Sequence, residues 1–89
     1  MQRIFADMRK KVAPEEFATI DERCASLGRE YGLTDREIEV MQFLAKGRSK
    51  GYIAEELVVS ENTVRAHARR LYAKLDIHTK AELQDLLGL

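Results

Sequence analysis

Tryptophan is absent from this chain, cysteine and proline occur once each, and neither sign of charge is in excess, with 15 basic side chains against 15 acidic ones. Each shortage excludes something. A single cysteine, Cys24, cannot close an internal disulfide, so the chain is not a stapled secreted domain. One proline and five glycines are too few for a turn-rich β-sandwich or a low-complexity tail. No run of about 20 apolar residues and no secretory signal is present, so a cytoplasmic protein is expected.

The chemistry-bearing side chains are equally sparse. His67 and His78 lie eleven residues apart with a turn between them, and no Cys or His pair has zinc-finger spacing, so no metal site and no cofactor are expected. Cys24 sits on an apolar stripe without an identifiable basic partner and reads as a small buried hydrophobe rather than a nucleophile. Glu37, Glu39, Glu55 and Glu56 form no pair placed for acid-base work; they read as solvated or paired carboxylates on structural helices. No nucleophile and base fall at a workable spacing, and an enzyme is not expected.

What the chain does hold is 45% hydrophobic and 34% charged residues in 89 positions, enough for one small domain, or one domain with an arm. The hydrophobic periodicity is helical throughout, and no strand pattern competes. Ile4, Phe5, Met8 and Val12 mark a short amphipathic helix over residues 1–12. Pro14, followed by Glu15 and Glu16, suits the first turn of a second helix, whose stripe of Phe17, Ile20, Cys24, Leu27 and Tyr31 ends at Gly32. That stripe fits either packing onto the rest of the domain or a seam with another subunit, and packing within the chain is the expectation.

Thr34 and Glu37 form a T-x-x-E capping box for a helix to about Lys46, closed by Gly47. Ser49 caps a short helix through Leu57, in which Gly51 costs about 1 kcal/mol of helix propensity relative to alanine and so points to close packing or a ligand's approach. After the brief Val58-Val59 connection, Ser60 caps a helix from Glu61 to about Leu75. Thr79 and Glu82 form a second capping box for a last helix over residues 79–87.

The charge, balanced overall, is uneven locally. Between Glu61 and Asp76 the chain carries Arg65, Arg69, Arg70 and Lys74 and no acid. Acid exclusion on one helix inside a neutral protein points to a polyanion, and a tight turn before a basic helix is the arrangement that places the second helix in a DNA major groove. With Val64, Ala68, Leu71 and Leu75 facing inward, Asn62, Arg65, Ala66, Arg69 and Ala73 share the outer face. Arg65 and Arg69 are then candidate base readers, since the guanidinium fork matches guanine O6 and N7, and Ala66 is small enough to admit a thymine methyl. Ser60, Glu61 and Thr63 stand at the helix start, where hydroxyls and free N–H groups can take a phosphate. Arg70 reads as a solvated or salt-bridged residue, and Tyr72 as a side chain wedged at the core edge.

Leu33-Thr34-Asp35-Arg36-Glu37, Gly47, Ile53-Ala54, the run Ser60-Glu61-Asn62-Thr63-Val64-Arg65-Ala66-His67, and Lys74-Leu75 together resemble the LuxR/GerE-type helix-turn-helix over residues 31–89. The resemblance implies an all-α fold: a four-helix DNA-binding domain with a tri-helical core, preceded here by an N-terminal helical extension or connector over 1–30. It implies sequence-specific binding of double-stranded DNA in bacterial transcription regulation, by a homodimer formed through the last helix. The family's groove-reading positions fall on Arg65, Ala66 and Arg69, and Thr63 and Lys74 match its phosphate-contacting positions. His67 matches a position near the start of the recognition helix, in keeping with a packed or phosphate-contacting imidazole.

Leu83 and Leu87 are the expected exposed apolar contacts of the dimer. Where the family has Asn-Lys-Glu after the serine of the second helix, this chain has Lys50-Gly51-Tyr52; Lys50 remains a candidate phosphate contact, and Tyr52 either bonds a phosphate or packs inward. The segments 52–57 and 72–78 are similar to a branch in which this domain ends a membrane-embedded regulator, which would make the chain the C-terminal part of a larger sensor, with RNA polymerase as a further partner. The alternative from another class is an interaction module that pairs with a second regulator and binds DNA weakly.

Overall fold

The computed structural model describes residues 19–89, which form five helices and no strand. They are α1 (Ile20–Tyr31), α2 (Asp35–Ala45), α3 (Lys50–Leu57), α4 (Glu61–Leu75) and α5 (Lys80–Leu87). The expected helix over residues 1–12 and the segment from Pro14 to Phe17 lie outside the described residues.

Four of the five helices start on the predicted cap, and the exception has a local cause. The helix expected to begin near Pro14 begins instead at Ile20, because Thr19 and Glu22 make a capping box that the sequence reading missed. The Thr19 hydroxyl accepts from the Glu22 N–H at 3.1 Å, and the Glu22 carboxylate accepts from the Thr19 N–H at 2.9 Å. Thr34 with Glu37 and Thr79 with Glu82 repeat the same reciprocal pairing. Ser49 and Ser60 cap α3 and α4 by accepting from the backbone of Tyr52 and Thr63.

All five helices contribute to one core. Val40, Met41 and Leu44 of α2 meet Ile53 of α3, Val64, Leu71 and Leu75 of α4, and Leu83 of α5. Cys24 and Leu27 join the same cluster, so the α1 stripe packs within the chain, as expected, while Tyr31 at its end is 40% exposed. Where α1 meets α2, a Cβ at Gly28 would come 2.5 Å from Ile38 Cδ1, so any larger residue there would displace the Ile38 side chain. At the other end Arg23 Nη1 donates to the carbonyls of Leu87 and Gly88 at 2.8 and 3.3 Å, tying α1 to the end of α5. α1 thus shares its core with the helices that follow.

Leu83 and Leu87, expected as exposed dimer contacts, are corrected by the same packing. They are 0% and 4% exposed and belong to the core of the single chain. The reason is rotational: on an eight-residue helix, the face carrying 83 and 87 is the one laid against α1 and α2, and Leu86, next to it, faces outward at 41% exposure.

Candidate nucleic-acid interface

The turn between α3 and α4 is made by an unusual residue. Val58 occupies the left-handed region at φ 57°, where its N–H bonds back to α3, and its side chain is almost wholly exposed. A β-branched residue there is sterically costly, and the outcome is a reversal tight enough for α4 to start at Ser60. α4 then buries Val64, Ala68, Leu71 and Leu75, as the periodicity requires.

The opposite face is the one singled out by the sequence. Asn62, Arg65, Arg69 and Ala73 are exposed and Ala66 is half-buried. Arg69 has no hydrogen bond or ion pair with any described residue, so its fork is available to a ligand. Arg65 is held differently: Nη1 donates to Asn62 Oδ1 at 2.9 Å, and Nη2 to Glu61 Oε1 at 3.1 Å. Ala66, beside Arg65, carries only a methyl group, as does Ala73 one turn beyond Arg69.

At the start of α4, the Ser60 hydroxyl accepts from the Thr63 N–H at 3.1 Å and lies 3.0 Å from the Thr63 hydroxyl. Whichever of the two donates, one O–H remains free for an acceptor such as a phosphate oxygen. The neighbouring start of α3 has no acid in its first turn and carries exposed Arg48 and Lys50. The two helix starts adjoin, because a Cβ at Gly51 would meet Glu61 Oε2 at 3.2 Å. A side chain at Gly51 would press on that carboxylate, which would have to give by a few tenths of an ångström.

Tyr52 packs inward in part, the second of the two roles open to it. Its ring packs edge-on against Phe43, with centroids 5.9 Å apart, and lies under the Arg48 guanidinium at 5.3 Å, while 41% of the residue stays exposed. His67 is half-buried, with Nδ1 at 3.4 Å from Arg70 Nη1. Tyr72 lies partly buried against the core, as its position suggested.

Lys74, expected on a phosphate, is paired within the domain. Its ammonium donates to Glu37 Oε1 at 2.8 Å and points at the Gly32 carbonyl at 3.4 Å. Glu37 is 2% exposed, and the same oxygen also accepts from the Thr34 N–H. Burial raises the pKa of this carboxyl, but the bond from Lys74 and those from Thr34 outweigh it and hold the pKa below its ordinary value. Lys74 therefore neutralises a buried charge inside the domain and fastens α4 to the start of α2. The sequence offers Glu37 as a capping residue and as one of four solvated or paired carboxylates; its pairing with Lys74 and its burial depend on packing.

Among the described residues no group of His, Cys, Asp and Glu is placed to hold a metal ion, and no helix is long and apolar enough to cross a membrane. A model of the luxR family of bacterial regulatory proteins matches residues 31–87. The chain belongs to that family. The Fimbriae Z protein of Salmonella typhimurium is 42% identical over 53 residues, which cover 60% of this chain and 25% of that protein. The nitrate/nitrite response regulator protein homolog of Haemophilus influenzae is 46% identical over 48 residues, covering 54% and 23%. The oxygen regulatory protein NreC of Staphylococcus haemolyticus is 45% identical over 51 residues, covering 57% and 24%. The chain thus spans about a quarter of the length of these curated relatives. No solved structure matches it.

Proposed function

We propose that this protein binds double-stranded DNA sequence-specifically in transcription regulation, with α4 in the major groove. The observation that carries this reading is the outer face of α4, where Arg65 and Arg69 stand one turn apart on either side of Ala66 and Arg69 has no partner among the described residues. Arg65 and Arg69 contact base edges, and Ala66 lets the helix approach them. Lys50 and the hydroxyls of Ser60 and Thr63, at the adjoining starts of α3 and α4, contact phosphates and fix the register. Membership of the luxR family and the regulatory names of the relatives support the same reading.

The protein acts in the cytoplasm, where the DNA is, and as a homodimer with one α4 per half-site. A neutral chain has little long-range attraction for a duplex, so affinity comes from two half-sites engaged together. Leu86, 41% exposed on α5, replaces Leu83 and Leu87 as the apolar contact of that dimer. A larger regulator that carries this domain, and RNA polymerase at the promoter, complete the set of partners proposed.

Selection of bound sequences from a random duplex library, at two salt concentrations, tests this reading. A two-fold motif is expected for the parent chain and is lost in R65A/R69A, with the salt dependence of the residual binding reduced. No enrichment, or binding indifferent to the substitutions, would reject groove reading and favour an interaction module.

A further inference from the structure

A base-reading arginine is useful only where its fork is aimed, and Arg65 is aimed by two neighbours. Glu61 Oε1 takes Nη2 at 3.1 Å and Asn62 Oδ1 takes Nη1 at 2.9 Å, so both ends of the guanidinium are fixed. Two of the five N–H groups are thereby engaged, and one on each terminal nitrogen, together with Nε–H, remains to be donated. That is enough for a bidentate pair with guanine.

Glu61 is an odd resident at this place. It is the only acid on α4, it opens the helix that would face phosphates, and its charge there opposes binding to a polyanion. Its other oxygen, Oε2, occupies the space beside Gly51, a residue that weakens α3 but leaves room for the carboxylate. Two features that each carry a cost, an acid at the interface and a glycine within a helix, thus lie side by side.

We propose that Glu61, accommodated by Gly51, is a positioning residue that sets the plane of Arg65 and thereby sharpens the choice of the base pair Arg65 reads. The inference rests on the reading of Arg65 as a base contact. Glu61 acts through Arg65, trading affinity for discrimination: its carboxylate lowers attraction to any duplex while removing the alternative orientations by which a free arginine would tolerate other bases.

The test compares the full chain with E61Q, R65A and E61Q/R65A by deep sequencing of duplexes retained from a random library, with melting followed by circular dichroism for each variant. For E61Q the preference at one base pair is expected to fall roughly two- to fivefold, the range of an exposed ion pair. Binding to unrelated duplex should rise at the same time, as a negative charge is removed from the interface. The affected base pair is the one that R65A alters, and E61Q changes nothing further in the R65A background. Should E61Q melt below the parent, G51K takes its place, because it leaves α4 unaltered and puts an ammonium beside the Glu61 carboxylate to draw it from Arg65. An unchanged preference in the variant while R65A alters it overturns the inference. So does a change at a base pair other than that of R65A, which would make Glu61 a base reader itself. If R65A alters no base preference, it is the assignment of Arg65 that fails.

Discussion

Lys74 Nζ lies 2.8 Å from a Glu37 carboxylate that is only 2% exposed, joining the recognition-helix candidate to the first turn of α2. The pair is unequal, since the lysine side chain is 37% exposed and the carboxylate is not. Removing the lysine leaves a buried anion held only by the Thr34 groups, whereas removing the carboxylate leaves a lysine that water can still solvate.

K74A is therefore expected to destabilise the domain by roughly 2–3 kcal/mol, less than the cost of breaking a fully buried pair, because one partner reaches solvent. K74M, which retains the apolar stem, loses a similar amount, and E37Q loses less. Urea unfolding of the three variants orders them. A phosphate-binding Lys74 would instead leave unfolding unchanged and weaken DNA binding alone.

The same pair sets an acid limit. The Glu37 pKa is lowered in the folded state, so its contribution is complete above the unfolded carboxyl value of about 4.3 and is lost as the pH falls through the folded value. Glu82 acts in the same direction, its carboxylate accepting from the N–H groups of His78 and Thr79. Stability should thus be level near neutrality and fall below about pH 4.3, with a shallower fall in E37Q. Thermal melts between pH 2.5 and 7 measure it, and an equally steep fall in E37Q would remove Glu37 from the cause.

Much of this architecture is legible in sequence, for a reason particular residues make plain. The caps at Thr34, Ser49, Ser60 and Thr79 are local chemistry, fixed by side chains within three residues, and the inward face of α4 follows from spacing alone. The face of α5 was not legible, because Leu83, Leu86 and Leu87 are all apolar and only contact with α1 and α2 decides which two go inside. Nor was the Lys74 pairing, which spans 37 residues, or the hold of Glu61 on Arg65, which the motif alone presents as two unrelated charges. The Thr19 and Glu22 box was readable by the rule applied elsewhere, but Pro14 and its two glutamates drew the helix start to an earlier position.

Val58 carries a cost that can be relieved. Its φ of 57° is unfavourable for a β-branched residue, and a side chain 87% exposed gives little packing in return. V58N keeps the turn and should stabilise the domain by about 1 kcal/mol, raising the melting temperature by about 4–8 °C. V58G should gain less, since glycine also loosens the unfolded chain. Differential scanning calorimetry distinguishes the three, and a lower melting temperature for V58N would indicate that the valine makes a contact worth more than the strain.

Cys24 should be chemically silent in the folded protein. Burial and the nearby Asp21 carboxylate push its pKa up to about 11, against a smaller opposing effect of Lys46, so almost no thiolate exists at pH 8. Labelling by a thiol-reactive disulfide reagent is expected to proceed only as fast as the domain opens, and to become immediate in denaturant. Prompt labelling of the native chain would contradict the packing of α1 against α2.

α5 separates stability from assembly. Leu83 is fully buried, so L83A should lose about 2–5 kcal/mol whatever the protein concentration. Leu86 is 41% exposed, so L86E should change the unfolding free energy by no more than about 0.5 kcal/mol while weakening any dimer that α5 forms. Urea unfolding at two concentrations gives the first comparison, and sedimentation on a duplex carrying two half-sites gives the second. A dimer intact in L86E moves the subunit contact away from this face of α5. A dimer lost in L86E, with the monomer as stable as before, places Leu86 in the contact and leaves Leu83 and Leu87 to the core beneath it.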